Sequence, residues 1–281
     1  MKKRKKKDSK EVGLDVGLMV FQFFLKTEYL HYGYFTPDLK IDVINLKKAQ
    51  EQYFDYLVKH IPTGTKTILD VGCGSGKTAE ELIKLGYKVD CVSPGKILTK
   101  HASKKLKGKV EMFSCKYEDV ETDKNYDLIL FSESFQYIPI KDSMSKAISM
   151  LNPGGHIIVC DFFKKDVPEK SWLGGGHSYK NWLEQLNEYP VMILTEEDIT
   201  ENTAPTIDLA NDLNQQVVKP IATNVGLLAE DRFPWIVKLL RWKYKKKLEK
   251  MRHKHFSNTV TGEHFKKHKK YMFYLLQLKD S

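Results

Sequence analysis

The sequence predicts an α/β protein with a mostly parallel sheet covered by helices, and three observations carry that expectation. From Lys66 onward short β-rich runs alternate with helical patterns, a glycine-rich turn joins the first run directly to a helix, and a second turn, Asn152-Pro-Gly-Gly155, precedes the fifth run. Strands that alternate with helices form βαβ units, whose crossovers make neighbouring strands parallel and place helices on the sheet faces. A chain of 281 residues can bury one substantial core.

In chain order, Thr67–Val71, Lys88–Val92, Val110–Ser114, Tyr126–Phe131 and His156–Phe162 read as strands, with helical patterns near 78–85, 96–107 and 141–151. Val191–Leu194 and Tyr271–Leu278 are candidates for two further strands, which makes seven. Between those two lie about 75 residues that the sheet does not need, and an excursion of that length usually covers a site. Within it, Trp235–Phe256 reads as a helix, because Trp235, Ile236, Leu239, Leu240, Leu248 and Met251 recur at near-helical spacing against Lys238, Lys245, Lys246 and Lys247. Such a stripe is expected to pack on the body; lying on a membrane is the alternative.

An apolar share of 41% and a charged share of 29% fit a globular chain, and no apolar run approaches the ~20 residues needed to span a bilayer. The basic start MKKRKKKDSK is not read as a signal peptide, since Glu11 and Asp15 break up the stretch behind it and no small-residue cleavage site appears. Cys73, Cys91, Cys115 and Cys160 are widely spaced without a CxxC pair, so neither a zinc site nor disulfides are indicated and a cytoplasmic location is expected. The net charge of +10 belongs to the ends: residues 1–10 carry +6, residues 235–281 carry +11, and the stretch between carries −7. That distribution argues against a nucleic-acid groove across the fold and suits peripheral contact of the basic ends with an anionic membrane, or simply solvated lysines.

The most informative segment is Ile68-Leu-Asp-Val-Gly-Cys-Gly-Ser-Gly76, an apolar strand that ends in an acid and runs into alternating glycines ahead of a helix. Glycines permit the tight turn and let a ligand approach the backbone. A dinucleotide site would show G-x-G-x-x-G, whereas this one reads G-x-G-x-G. It resembles motif I of class I S-adenosylmethionine-dependent methyltransferases, and the resemblance continues over roughly residues 25–165. It implies a Rossmann-like fold, S-adenosyl-L-methionine as cofactor, and methyl transfer. The implied cofactor residues are Asp70, Gly72, Cys73, Gly74 and Gly76 in the motif, and Ser93, Pro94 and Leu98 after the second strand, where Ser93 replaces a frequent acid. Tyr117 and Glu118 after the third strand and Phe131 at the end of the fourth complete that part of the set; Glu118 is preferred over Asp119 as the adenine contact. Ser93 is similar to the variant of cyclopropane-fatty-acid-synthase-like and mycolic-acid methyltransferases, and Tyr29-Leu-His-Tyr-Gly-Tyr-Phe35 with Ala49-Gln50 resembles the N-terminal cap of the same lipid- and amine-methylating branch. His31 and Tyr32 are therefore expected near the methionine end, where aromatic faces suit a sulfonium; the alternative is an aromatic cluster that merely packs the N-terminal helix. The resulting organisation is a basic tail over 1–10, a helical cap over 11–62, the cofactor-binding core over 63–195, a helical substrate cover over 196–262 and a final strand within 263–281.

In-line methyl transfer demands alignment and exclusion of water, and needs a base only when the nucleophile must lose a proton. The resemblance puts the acceptor near Phe131-Ser-Glu-Ser-Phe-Gln-Tyr137, where Glu133 would orient an amine or accept a proton and Tyr137 would line the pocket. The (D/N)PPY of nucleic-acid amino-methylating enzymes is absent, and Gln136-Tyr137 stands where cyclopropane-forming relatives show Glu-His. His177, after Gly174-Gly-Gly176, is a third catalytic candidate, with a helix cap or surface residue as its alternative. His253, His255, His264 and His268 are expected to face solvent. The expected acceptor is a small molecule or lipid; nucleic-acid methylation and non-catalytic cofactor binding are the competing readings.

Overall fold

The computed structural model describes residues 9–279 apart from 170, 172, 257 and 258, so the basic tail expected over 1–10 lies almost entirely outside the described residues. Helix α1 (Ser9–Val20) leads through a π-turn to the cap segment and α2 (Leu46–Lys59). Then come β1 (Thr67–Val71), α3 (Lys77–Lys84), β2 (Lys88–Val92), α4 (Lys96–Leu106), β3 (Met112–Phe113), β4 (Tyr126–Ser132), α5 (Ile140–Ser149), β5 (Leu151–Lys164), α6 (Tyr179–Leu186) and β6 (Val191–Asp198). A helical excursion, α7 (Thr200–Thr203), α8 (Pro205–Leu213), α9 (Lys219–Arg232), α10 (Pro234–Phe256) and α11 (Gly262–His268), precedes β7 (Lys269–Leu278).

The seven strands form one sheet in the order β3-β2-β1-β4-β5-β7-β6, parallel throughout except for β7, which runs antiparallel to both neighbours. Successive residues of a strand point to opposite faces. In β4, Leu128 and Leu130 therefore join one core cluster with α2, α3 and α4, while Ile129 and Phe131 join the other with α5 and α6. Burial on both faces explains why the central strands read as unbroken apolar runs.

Three strands differ from expectation, one of them β6, which runs past the expected Leu194 to Asp198 and so takes in the first residues assigned to the cover. Strand β3 keeps only Met112–Phe113 of the expected Val110–Ser114, as suits an edge strand with one neighbour. Strand β5 starts five residues early at Leu151, and Asn152–Gly155 loops out within it: Tyr126 pairs with Leu151 but Leu128 pairs with His156. Asn152 Nδ2 anchors that loop by donating to Asp127 (2.7 Å).

The N-terminal cap is threaded between α2 and the start of the excursion. Gly33 N–H donates to Thr206 Oγ1 (2.9 Å), Tyr34 N–H to the Ala49 carbonyl (2.8 Å) and Phe35 N–H to the Asn202 carbonyl (2.8 Å). A Cβ on Gly33 would come within 2.6 Å of Ala49 Cβ, so only glycine permits this approach.

Candidate active site

In an open parallel sheet a ligand binds beyond the carboxyl ends of the strands, where the strand order reverses. Here that point lies between β1 and β4, and a cavity of about 720 Å³ opens there.

Its floor is the turn after β1. Gly72, Gly74 and Gly76 all have positive φ (81°, 53° and 77°), which L side chains rarely adopt. Gly72 is also held against Ser134, whose Cβ would lie 2.5 Å from an added Cβ. The turn is tied down by Gly72 and Cys73 N–H donating to the Val92 carbonyl, and Ser75 Oγ donates to the Glu28 carbonyl, so the cap is latched to the glycine turn. Asp70 is buried, and its Oδ2 has no hydrogen-bond partner among the described residues. Burial alone pushes its carboxyl up to about 7. A buried carboxylate oxygen without a partner is costly, and a cationic ligand group in the cavity would answer it.

Of the residues predicted from the sequence, the cavity wall brings together His31, Asp70, Gly72, Cys73, Gly74, Ser93, Pro94, Leu98, Glu133 and Tyr137. His31 stacks on Tyr53 with ring centroids 4.3 Å apart, and its Nδ1 must donate to the Tyr32 carbonyl (2.8 Å), which leaves Nε2 an acceptor without a partner. Burial lowers its pKa to about 4, so the ring is neutral. Gln50 fixes this segment by donating from Nε2 to the Tyr29 and His31 carbonyls (3.2 and 2.8 Å).

Glu133 faces the cavity at the end of β4 in a left-handed conformation, φ 56°, unusual for a residue with a side chain. Its Oε1 accepts from Tyr32 N–H (2.7 Å) and from Tyr271 Oη (2.6 Å). Tyr271 Oη is 3.0 Å from Tyr53 Oη, which is 3.2 Å from Ser132 Oγ, so hydroxyls from α2, β4 and β7 meet behind the carboxylate. Enclosure raises the Glu133 pKa to about 8; the Tyr271 and Tyr32 hydrogen bonds oppose that shift.

The structure corrects several expectations. His177 does not line the cavity: its Nε2 donates to the Phe135 and Ile138 carbonyls (3.0 and 2.9 Å), which makes it a strut behind the site. Tyr117 and Phe131 belong to the core on the other sheet face, edge-to-face at 5.3 Å, and Glu118 stands in the turn after β3, outside the cavity wall. Tyr32 packs its ring among Phe162, Phe265 and Tyr271, and only its backbone serves the site. Gly76 lies behind the turn, where a Cβ would press on Ala102 at 3.0 Å. His268 is buried, its Nδ1 bonded to the His264 carbonyl, because it caps the approach to β7; the side chains of His253 and His255 lie outside the described residues.

Sequence reasoning missed Gln136 as a functional part. Its N–H and Nε2 both donate to Asp161 (3.0 Å each), and its Oε1 accepts from Gly176 N–H (3.3 Å). This clamp holds Gly174 and Gly175 against the cavity beside Phe162. Buried Lys269 completes it, donating to the Gly175 carbonyl (2.6 Å) with its Nζ 5.3 Å from the Phe162 ring centre. Burial lowers that lysine to about 8. The signal was present as three consecutive glycines, but their partners lie far away in sequence.

Residues 68–155 match the family model of the methyltransferase domain. Together with the strand order, the glycine turn and the cavity, this makes the chain a carrier of the class I S-adenosylmethionine-dependent methyltransferase fold. Among proteins it resembles, a ubiquinone biosynthesis O-methyltransferase of Nitrosococcus oceani is 31% identical over 111 residues, 37% of this chain and 46% of that protein. The chain thus matches about half the length of that relative. Among solved structures, the [4+2]-cyclase SpnF superposes with a TM-score of 0.68 at 15% identity, covering 96% of this chain and 94% of that one. A geranyl diphosphate C-methyltransferase of Streptomyces coelicolor A3(2), solved with Mg2+, geranyl diphosphate and S-adenosyl-L-homocysteine, superposes with a TM-score of 0.65 at 15% identity, covering 96% and 98%. S-adenosylmethionine fits the residues present: the unpartnered Asp70 carboxylate suits an ammonium, and the glycine turn leaves its backbone approachable.

Proposed function

We propose that this protein transfers the methyl group of S-adenosylmethionine to a nitrogen, oxygen or carbon of a small molecule or lipid. The observation that carries the proposal is that one cavity, at the switch point of a methyltransferase fold, is walled by two carboxylates with raised pKa, Asp70 over the glycine turn and Glu133 at the end of β4, the strand beside β1 in the sheet. When bound, the cofactor supplies an electrophilic methyl group on a sulfonium. Asp70 holds the cofactor's ammonium, and His31 and Tyr29 form part of the wall that excludes water. Glu133, kept in place by Tyr271 and the Tyr32 N–H, orients the acceptor and takes its proton when the nucleophile carries one. Tyr137, Phe162, Gly174 and Gly175 border the space beside Glu133, so the acceptor offers an apolar or flat surface there. Four cysteines without disulfides suit the reducing cytoplasm.

Two features bear on the competing readings. Lys77 is the one lysine or arginine in the cavity wall among the described residues, and it is paired with Glu80 and Glu81, which disfavours a nucleic-acid acceptor. The second reading is non-catalytic binding of S-adenosylmethionine or S-adenosylhomocysteine; the same fold is found in a [4+2]-cyclase, SpnF, so the fold alone does not choose between them.

Isothermal titration with S-adenosylmethionine, followed by a methyl-transfer screen over amines, phenols and lipids, tests the proposal. Binding by the intact protein that Asp70→Ala abolishes, with the thermal midpoint of the variant kept or raised because an unpaired carboxylate is gone, is the expected result. A folded protein that fails to bind, with or without candidate acceptors, overturns it. Binding without turnover selects the second reading.

A further inference from the structure

Helices α9 and α10 are turned inside out for a hairpin in water. The chain reverses at Phe233 and Pro234, and Arg241 pairs through both guanidinium nitrogens with Glu230 across the two helices. The residues that face inward are small or few: Gly226, Ala229, Ile236 and Val237 are partly covered. The large apolar side chains face outward instead, with Leu228 70%, Trp235 70% and Trp242 78% exposed, alongside Leu227, Leu239 and Leu240. The expectation that the stripe of α10 would pack on the body is overturned: the hairpin packs on itself and on the π-turn Asn214–Val218 that joins it to α8.

Charge identifies what covers this surface. The α10 segment carries nine lysines and arginines against one acid, Glu249, and the run Lys243-Tyr-Lys-Lys-Lys247 directly follows Trp242. Tyr244 leaves helical geometry (φ −111°, ψ 18°), which separates an apolar half of the helix from a basic half. A second copy of the chain would bring like charges together, and protein interfaces are depleted of lysine. Tryptophan and leucine beside lysine and arginine are instead the composition of a segment lying in an anionic bilayer surface. No helix among the described residues is long and apolar enough to cross a membrane.

A second exposed apolar stretch issues from the same base. Phe23 and Phe24 stand in the π-turn Phe21–Leu25, whose Phe21 and Leu25 pack with Leu209 of α8 on the Phe35–Leu46–Ala49 cluster. Thr206 of α8 also accepts from Gly33 in the cap. The hairpin is therefore rooted where the cap meets the start of the excursion, and the excursion expected over 196–262 as a substrate cover contributes none of its described residues to the cavity wall.

We infer that the α9–α10 hairpin is a docking element for anionic lipid bilayers, with Leu228, Trp235 and Trp242 entering the interface and Lys243, Lys245 and Lys246 meeting lipid phosphates. The attachment stands whether or not the methyl acceptor is itself a lipid.

Co-sedimentation of the full chain with vesicles tests it. The protein pellets with vesicles of phosphatidylglycerol and phosphatidylcholine in equal parts, and high salt weakens that binding. The triple variant Leu228→Ser, Trp235→Ser, Trp242→Ser and the variant Lys243→Glu, Lys245→Glu, Lys246→Glu each weaken partitioning at least about tenfold. Both keep the circular dichroism spectrum and the S-adenosylmethionine affinity of the parent, since these side chains are exposed and outside the cavity. Equal binding to phosphatidylcholine alone, binding unchanged in both variants, or no binding at all overturns the inference. So does a dimer in solution that the apolar variant dissolves without any vesicle binding, which would assign the surface to a second copy.

Discussion

Glu133 combines three departures from the ordinary: positive φ, enclosure by protein, and a carboxyl that holds its proton to about pH 8. Strain of this kind persists only where the surroundings over-determine it, here through Tyr32, Tyr271 and the Cys160 carbonyl that accepts from the Glu133 N–H. As a base it must be ionised, so turnover of an acceptor that loses a proton rises with pH through about 8. Glu133→Gln keeps an acceptor for Tyr271 but takes no proton, so kcat/KM falls roughly 10²- to 10⁴-fold and the rise with pH vanishes. A flat profile in the parent would leave Glu133 an orienting role alone. At this scale the sequence pointed to residues that the fold does bring into the cavity wall where they lie close together in the chain: Asp70, Gly72 and Gly74 sit in one motif, and Ser93 just after β2. It concealed Tyr271, whose hydroxyl reaches Glu133 from 138 residues away, and it presented Gln136 as a mere departure from a family pair when it is the clamp on Asp161.

Elements were legible where their periodicity is answered by the core. Strand β1 and helices α3 to α5 lie within about two residues of their expected bounds because their apolar positions are the ones buried. The same reasoning failed for α10, where periodic apolar residues face solvent: pattern tells which residues share a face, and only packing tells what that face meets. It also misplaced His177, since a glycine run before a histidine looks equally like an active loop or a propped one. The propped reading predicts that His177→Ala costs about 1–3 kcal/mol of stability through loss of the hydrogen bonds that its ring gives the Phe135 and Ile138 carbonyls, while cofactor affinity stays within about twofold. Urea unfolding beside titration calorimetry checks it. A large loss of affinity with unchanged stability would return His177 to the cavity.

For the molecule as a whole, Asp70, Glu133 and Asp161 share one direction of shift, to about 7, 8 and 7, from ordinary values of 3.8 to 4.5. The folded state therefore keeps protons that the unfolded chain releases, and stability present below about pH 4 in these groups is lost as pH rises through 8. The ligand-free protein is expected to lose several degrees in thermal midpoint between pH 5.5 and about 8.5, and Asp70→Asn to flatten part of that fall. Differential scanning fluorimetry across pH reads both; a midpoint that rises over this interval would contradict the assignment. The parallel layers were foreseeable from alternating elements, but the insertion of β7 between β5 and β6 came from no local pattern, because pairing is decided across the chain.

That insertion also sets a timetable. Strand β5 ends at Lys164 and its partner β7 begins at Lys269, so during synthesis the inner edge of β5 waits, unpaired, while the whole helical excursion is being made. Tyr271 and Lys269, which complete the Glu133 network and the glycine clamp, arrive with that last strand. A nascent chain therefore presents an open, apolar sheet edge to the ribosome's surroundings and has no working site until β7 slots in.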